Sequence, residues 1–226
     1  MTSEELRYLL TAARQIFPEQ PPNREDVIST WSGVRPIITS GKSRNPSKAS
    51  REHKVWVEEG MVSCSGGKLT TFHHMALDVL SKAERFLPRA TTPSTKRMFS
   101  SPSVTGADIM PEDPERGERL LGRYGENAIA LLAPAKAHER AIIPGTQTCL
   151  AQVRWALINE SVLHLDDLML RRTRLGILLA HGGEEVLEEI GALCREVLGW
   201  NEAQWQQESD RYRGVIDRYY MIPGES

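Results

Sequence analysis

The spacing of apolar residues changes along the chain, and the change predicts two kinds of structure. At the N-terminus, apolar side chains recur three or four residues apart between Leu6 and Ile16, which predicts an amphipathic helix capped by Thr2 or Ser3. Short runs rich in β-branched residues follow, whereas from Glu115 onward the apolar positions return to helical spacing. The pattern predicts an α+β fold, in which a small helix, strand and hairpin piece precedes an all-α helical bundle.

Two of the β-prone runs are predicted to form a hairpin. They cover residues 54–57 and 61–64, and Glu58-Glu59-Gly60 between them is typical of a tight turn. The second strand leads directly into Gly66-Gly67, and a helix is predicted from about residue 69 to residue 86. The hairpin is therefore expected to deliver its second strand into a glycine turn and a helix start.

Three segments follow from these patterns. Residues 1–86 are expected to form the α+β piece, and residues 87–114 are rich in proline, serine and threonine, which predicts an irregular linker. Residues 115–226 are expected to form the all-helical C-terminal domain, with about five helices.

One long helix is predicted near the middle of the bundle. Asp166 or Asp167 is expected to cap it, and its apolar side chains continue through Leu175 towards Ala180. The run His181-Gly182-Gly183 is then expected to end it, because glycines favour the backbone conformation of a helix C-terminus.

Arginines cluster within that predicted helix, at Arg171, Arg172 and Arg174. Such a cluster can bind an anion or form ion pairs with nearby carboxylates. We favour ion pairs with Asp166, Asp167 or Glu160, because charge runs on helices are usually structural.

Composition is ordinary for a globular protein, and it narrows the classes of function. Hydrophobic residues make up 40% and charged residues 26% of the 226 positions, and the formal net charge of −2 argues against a generic nucleic-acid binder. The widely spaced Cys64, Cys149 and Cys194 predict reduced, buried thiols in a cytoplasmic protein. His73-His74 has no third ligand at helical spacing, so no metal site is expected.

No apolar run approaches the roughly 20 residues that span a bilayer, so we expect neither a transmembrane segment nor a signal peptide.

The candidate chemistry centres on residues 62–71, which are predicted to form a strand end, a glycine turn and the start of a helix. Paired glycines let the backbone turn sharply and let a flat ligand approach closely. The helix start offers unpaired N–H groups, to which Lys68 adds a mobile charge and Thr70 a hydroxyl. Such a site suits a phosphate or the oxygen of a reduced flavin, although a simple tight turn has the same pattern.

A second feature upstream favours anion binding. Arg35 lies between Gly33 and Pro36, after a β-prone run at 27–31. The proline favours an extended backbone at Arg35, so its guanidinium is expected at a strand end, where it can bind an anion with two parallel hydrogen bonds. A surface arginine in a loop is the alternative.

Several motifs occur in a fixed order and together resemble a known family. They are the segment from Asp26 to Pro36, then Ser50-Arg51-Glu52-His53, and then Ser65-Gly66-Gly67-Lys68-Leu69-Thr70-Thr71. In this order they resemble the C-terminal part of the FAD-dependent glycerol-3-phosphate dehydrogenases, of the aerobic, quinone-linked type. A later run, from Gln152 through Asp166-Asp167 to Arg174, is similar to the helical C-terminal domain of that family. The resemblance implies that residues 1–86 are a truncated portion of the FAD and substrate domain.

The resemblance implies roles for individual residues. Arg35 and Arg51 match positions that bind the phosphate and hydroxyls of glycerol 3-phosphate, and Lys68 lies close to that substrate. The residues that it implies for the isoalloxazine end of FAD are Gly33, Gly66, Gly67, Lys68, Leu69 and Thr70. Phe72 and His73 follow where the family usually has Tyr and Arg, which weakens a charged donor beneath the site. Gln152 stands where a Glu is common, which affects a structural contact.

Two parts of the family's catalytic apparatus have no counterpart in this sequence. The dinucleotide fingerprint Gly-x-Gly-x-x-Gly with its acidic residue is not found, and nothing matches the family's histidine base. No catalytic residue is therefore assigned to this chain. FAD is expected only when an N-terminal FAD-binding half complements it.

The resemblance implies a reaction, partners and a location. The reaction is oxidation of glycerol 3-phosphate to dihydroxyacetone phosphate with electrons passed to a quinone, and the chain alone is expected to be inactive. The implied partner is an N-terminal dehydrogenase half or a homologous chain, with peripheral association with the inner membrane through the full enzyme. Two alternatives stay open: a non-catalytic helical interaction module that docks a dehydrogenase chain, and a degenerate remnant.

Overall fold

A computed structural model describes residues 1–34, 52–88 and 103–224 of the chain. It is mostly helical with one two-stranded antiparallel sheet, as the sequence predicts. The chain divides into two compact units. We call them the helical unit, Met1–Ser32 with Ser101–Ser226, and the hairpin unit, Gly33–Ser100. The domain boundaries expected at residues 86 and 114 stay a prediction.

The secondary structure of the described residues begins and ends as follows. The helices run over Ser3–Ile16 (α1), Phe72–Ala83 (α2), Gly106–Ile109 (α3), Pro114–Tyr124 (α4), Asn127–Leu132 (α5), Leu150–Asn159 (α6), Leu175–Leu178 (α7), Leu187–Leu198 (α8) and Glu202–Tyr219 (α9). The strands run over Lys54–Glu58 (β1) and Met61–Ser65 (β2). Shorter 3₁₀ segments cover Arg24–Asp26, Leu69–Thr71, Glu84–Phe86, His138–Arg140 and Ala180–Val186, and Asp167–Arg172 is π-helical.

Helix α1 begins where the sequence predicts it. The hydroxyl of Thr2 accepts a hydrogen bond from the backbone N–H of Glu5, and the Glu5 carboxylate accepts one from the backbone N–H of Thr2 at 2.8 Å. This reciprocal cap satisfies two N–H groups that the helix itself leaves unpaired. Leu6 is the buried residue of the helix. The prediction of a capped amphipathic helix is confirmed.

The core of the helical unit lies mainly between α6, α8 and α9. Helix α6 packs directly on α8. Helix α9 packs on α8 and on the 3₁₀ segment Ala180–Val186, which precedes α8. Fully buried side chains include Val153, Leu165, Leu168, Met169, Leu175, Ile190 and Tyr212. A second apolar cluster joins α4, α5 and the start of α6, through Met110, Leu120, Ala128, Leu131, Leu132, Cys149 and Ala151.

The prediction of one long helix from residue 167 to residue 180 is wrong, because the helix is interrupted twice in that range. The N–H and hydroxyl of Thr173 both donate to the carbonyl of Leu168, five residues earlier, at 2.9 and 2.7 Å, so the turn is wider than an α-turn. Arg174 then takes a left-handed backbone, with φ of 61°, and α7 begins after it. The predicted stop at 181–183 lies too late in the chain: α7 already ends at Leu178, where Leu179 is extended, and the positive-φ residues 181–183 belong to the following 3₁₀ segment.

The predicted capping role is wrong for Asp166, which makes no side-chain capping hydrogen bond. Its carboxylate pairs with the side chains of Arg171 and Arg211. Asp167 instead accepts hydrogen bonds from the backbone N–H groups of residues 163 and 164, at the start of the helical run.

The β-prone run at 27–31 is not a strand in the structure. It is an extended segment tied to the helical unit by hydrogen bonds. The N–H of Thr30 donates to the carbonyl of Tyr220 at 2.8 Å, and its hydroxyl donates to the carbonyl of Met221 at 3.0 Å. The hydroxyl of Ser29 donates to the carbonyl of Ile177 at 2.7 Å. These bonds satisfy the backbone and polar groups that a sheet would otherwise pair.

The hairpin predicted in the second unit is confirmed. Strands β1 and β2 pair antiparallel, with Val55 opposite Cys64 and Val57 opposite Val62. Helix α2 packs against both strands. None of the residues of α2 is fully buried, so this unit has only a thin apolar layer between the helix and the hairpin.

Candidate functional site

Residues 65–71 join β2 to α2 through the glycine turn that the sequence predicts. Gly66 and Gly67 have φ of 79° and 84°, in the left-handed region that favours glycine. Lys68 is extended, and its N–H donates to the hydroxyl of Thr71 at 3.3 Å. The Thr71 hydroxyl donates back to the carbonyl of Lys68 at 2.9 Å. The turn therefore fixes the backbone of Lys68 at the start of the helical run.

The space around Gly67 is already occupied by the protein. A Cβ at this position would lie 2.4 Å from Sδ of Met75 and 3.2 Å from Cβ of His53. The glycine is thus needed for the packing of α2 on the hairpin, before any ligand is considered.

A pair between a histidine and a carboxylate holds the base of the hairpin unit. Nε2 of His53 and Oδ2 of Asp78 are 2.5 Å apart, which joins the residue before β1 to the middle of α2. The side chain of His53 is only 18% exposed, so the pair orients the chain immediately after Arg51. Sequence reasoning noticed His53 but missed Asp78, which stands in no motif and is brought close only by the packing of α2.

The structure brings together only part of the predicted site. Gly66, Gly67, Lys68, Leu69 and Thr70 form one continuous turn, in which the last three are exposed. A Cβ placed at Gly33 would have no other heavy atom within 4 Å, so Gly33 does not pack on that turn. Arg35 and Arg51 lie outside the described residues. The substrate-binding and cofactor-binding assignments therefore stay predictions.

The arginine cluster of the helical unit is partly explained by ion pairs. Nη1 of Arg171 lies 2.6 Å from Oδ2 of Asp166 and 3.0 Å from Oδ1 of Asp167. Although burial opposes the effect, hydrogen bonds from Arg171 and Arg211 hold the pKa of Asp166 below its ordinary value. The ion-pair interpretation is confirmed for Arg171. Within residues 103–224, Arg172 and Arg174 form no ion pair.

A second network of ion pairs joins α6 to neighbouring segments. The guanidinium of Arg154 on α6 binds the buried carboxylate of Glu139 and, at 2.9 Å, the exposed carboxylate of Glu196 on α8. Against the cost of burial, the hydrogen bonds from Arg154 lower the pKa of Glu139. The network satisfies a buried charge and has no opening for a substrate, so it is structural.

In the described ranges, no group of three or more His, Cys, Asp or Glu side chains could hold a metal ion. No helix in the same ranges is long and apolar enough to cross a bilayer.

Comparisons with known proteins identify the family to which this chain belongs. A family model described as the C-terminal domain of alpha-glycerophosphate oxidase matches residues 90–205, about half of the chain. The chain belongs to this family, and the resemblance to glycerol-3-phosphate dehydrogenases is confirmed.

Three relatives illustrate the range of similarity. Glycerol-3-phosphate dehydrogenase 2 of Mycobacterium tuberculosis (strain H37Rv) is 30% identical over 234 residues, which cover 96% of this chain and 39% of the relative. The mitochondrial glycerol-3-phosphate dehydrogenase of Rattus norvegicus is 29% identical over 228 residues, covering 92% of this chain and 31% of the relative. That of Homo sapiens is 27% identical over 248 residues, covering 98% and 32%. The chain therefore spans less than half the length of these dehydrogenases.

Proposed function

We propose that this chain supplies the C-terminal part of an FAD-dependent glycerol-3-phosphate dehydrogenase. Combined with an N-terminal FAD-binding half, it oxidises glycerol 3-phosphate to dihydroxyacetone phosphate and passes the electrons to a quinone. The flavin supplies the hydride acceptor, and the protein binds and orients it. Without that half, the chain is inactive and retains no flavin.

The observation that carries this proposal is the exposed apolar surface of the hairpin unit. Its exposed large apolar side chains among the described residues are Val34, Trp56, Met61, Leu69, Phe72, Leu77, Leu80, Phe86 and Leu87. A two-stranded hairpin is marginally stable alone and needs further strands or helices to bury such side chains. The surface is that expected of a domain completed by another polypeptide segment, and the match to longer dehydrogenases supports the same conclusion.

The glycine turn is suited to one end of a flavin. The space beside Gly67 is filled by Met75 and His53, so the flavin is proposed to approach at the first N–H groups of the helical run, those of Leu69 and Thr70, which have no carbonyl partner within that run. Lys68 is exposed at the same point, so its ammonium is free to reach an anion. Arg35 and Arg51 are proposed to bind the substrate phosphate, which as a dianion needs concentrated positive charge.

The test combines the chain with the N-terminal part of the Mycobacterium tuberculosis relative that the match leaves uncovered. Alone, the chain soaked with FAD and desalted is expected to be colourless. The co-expressed pair is expected to be yellow and to reduce a soluble quinone analogue when glycerol 3-phosphate is added. Stoichiometric flavin on the isolated chain would contradict the proposal.

The exposed apolar surface also favours a second candidate, a non-catalytic module that docks a dehydrogenase chain. That candidate predicts a stable complex that contains no flavin site from this chain and gains no turnover from it. A pair that co-purifies without added activity would favour the module, whereas absence of any complex would favour a degenerate remnant.

A further inference from the structure

A pocket in the helical unit is lined by an unusual number of arginines. Its volume is about 620 Å³, and Arg116, Arg119 and Arg123 of α4 line it together with Arg174. The three on α4 are three and four residues apart, so they share one face of the helix. None of the described residues that line the pocket is an aspartate or a glutamate. Positive charge is therefore concentrated in one cavity of a chain whose net charge is −2.

These arginines lack the counter-ions that other arginines of the same unit have. Among the described residues, none of the four forms an ion pair, whereas Arg154, for example, binds two carboxylates. Arg116 is only 8% exposed, and its Nε is buried without a hydrogen-bond partner.

Backbone carbonyls hold two of the guanidinium groups in place. Nη2 of Arg116 donates to the carbonyl of Arg140, and Nη2 of Arg123 donates to the carbonyl of Arg172. A carbonyl is a dipole and does not neutralise a guanidinium, so a largely buried charge stays uncompensated. An anion in the pocket would compensate it, and two of the arginines are already held at the pocket wall by these hydrogen bonds.

The rest of the wall has both polar and apolar side chains. The loop that contains Gly145 contributes the polar side chains of Thr146, Gln147 and Thr148, and Leu120 and Leu178 are apolar. A phosphoryl group alone would fill a small part of such a volume, which lies in the range of sites for small organic molecules.

We propose that this pocket binds a small organic phosphate. Its dianionic phosphoryl group lies on the arginines, where charge-assisted hydrogen bonds are strongest, and its organic part lies against the threonine and leucine side chains. The inference is independent of the proposed dehydrogenase function, because none of these residues belongs to the glycine turn.

Isothermal titration calorimetry of the full chain at low ionic strength tests the proposal with three probes. These are glucose 6-phosphate, inorganic phosphate and glucose, chosen because none is the glycerol phosphate expected near the glycine turn. Glucose 6-phosphate is expected to bind saturably with one site and at least as tightly as inorganic phosphate, and glucose is expected not to bind. No saturable binding of glucose 6-phosphate, or weaker binding than inorganic phosphate, would overturn the proposal.

Matched variants assign the binding to this pocket. Arg119→Gln with Arg123→Gln is expected to weaken glucose 6-phosphate binding at least tenfold. Arg7→Gln with Arg218→Gln removes the same charge from exposed positions outside the pocket and is expected to leave the affinity unchanged. Equal losses in the two pairs of variants would mean non-specific attraction and would overturn the assignment.

A further variant keeps all the arginines. Gln152 lines the pocket, and its Oε1 accepts a hydrogen bond from the backbone N–H of Cys149 at 3.1 Å. Gln152→Glu preserves that acceptor, and the hydroxyl of Tyr124, which accepts from Nε2 of Gln152 at 3.1 Å, can donate to the new carboxylate instead. The carboxylate in the wall is expected to compete with the phosphate and weaken binding at least tenfold. Unchanged affinity in Gln152→Glu would count against a ligand at this wall.

Discussion

At the scale of single residues, two glycines of the hairpin unit have the same backbone conformation but different surroundings. Gly60, in the turn between β1 and β2, has φ of 82° and open space where a Cβ would stand. Gly67 has φ of 84°, and Met75 and His53 occupy that space. A comparison of Gly60 with Gly67 therefore distinguishes the energetic cost of a positive φ from the cost of a close contact.

Alanine at each of these glycines is expected to destabilise the unit to a different extent. Gly60→Ala should cost about 1–2 kcal/mol, the usual penalty of a left-handed backbone for a residue with a Cβ. Gly67→Ala should cost about 1–2 kcal/mol more, because the side chain of Met75 must move and Cβ of His53 cannot. Hydrogen exchange of the β1 and β2 amides measures both. Equal losses would show that the contact with Met75 carries no energy, and Gly67→Ala with Met75→Ala should recover part of the difference.

Arg35 is the residue on which the proposed substrate site depends most. In the reconstituted pair, Arg35→Ala is expected to lower kcat/KM by roughly ten- to hundred-fold, since it removes charge-assisted hydrogen bonds worth on the order of 1.5–3 kcal/mol. Arg35→Lys should recover only part, because an ammonium cannot bind two phosphate oxygens in parallel.

Arg171→Ala is the matched control for this prediction. Its guanidinium is engaged by Asp166 and Asp167, so its loss should change stability more than substrate use. Normal turnover in a pair that carries both Arg35→Ala and Arg51→Ala would refute the substrate-site assignment.

At the scale of elements, helices α8 and α9 approach closely at one glycine. A Cβ at Gly191 on α8 would lie 2.7 Å from the ring of Trp205 on α9. The ring is rigid and partly buried, so it cannot move aside as a flexible side chain can. Gly214 on α9 has no such neighbour within 4 Å.

The two helical glycines are expected to respond to alanine in opposite directions. Gly191→Ala should lower the free energy of unfolding by about 1–3 kcal/mol through overpacking against the ring of Trp205. Gly214→Ala should raise it by about 0.5–1 kcal/mol, because alanine favours the helix and meets nothing. Urea unfolding followed by circular dichroism at 222 nm is the measurement. A stabilising Gly191→Ala would mean that α8 and α9 separate easily.

Elements that depend on residues close in sequence could be predicted from the sequence. Elements that depend on contacts between residues far apart in the sequence could not. The cap at Thr2 and the turn at Gly60 depend on neighbouring residues, so their positions followed from the pattern. The pairing of Asp166 with Arg211 joins residues 45 positions apart, so the sequence alone did not show that this carboxylate is engaged by an ion pair. The arginine pocket was missed for the same reason, because the side chain of Arg174 joins those of α4 only after folding.

At the scale of the whole molecule, stability is expected to depend on pH through buried carboxylates. The pKa of Asp166 is lowered in the folded state, although burial opposes the shift, because Arg171 and Arg211 donate to the carboxylate. A depressed folded pKa gives stabilisation that is present above the unfolded value of about 3.9 and is lost as the pH falls through the folded value.

Asp166→Asn tests this dependence. It should reduce the free energy of unfolding by about 1–2 kcal/mol at pH 7, a modest value because both arginines are half exposed and screened by solvent. The difference from the unmodified chain should shrink below about pH 4, as the native carboxyl also becomes neutral. Asp210→Asn, which affects an exposed pair with Arg213, should change stability by less than about 1 kcal/mol at either pH. A pH-independent loss for Asp166→Asn would contradict the electrostatic account.

The hydrogen bonds of Thr30 also determine when the helical unit can be completed during synthesis. Thr30 and Met221, which its hydroxyl binds, are 191 positions apart. Ribosomes add about 5–20 residues per second, so the partner of Thr30 is made on the order of 10–40 s after Thr30 itself. For that interval Thr30 lacks this partner, although the partner of Ser29, the carbonyl of Ile177, is made earlier. Closing so long a loop then contributes an entropic cost before the contacts form. The segment around Thr30 is therefore expected to be fixed on the helical unit only after residues 220 and 221 have been made.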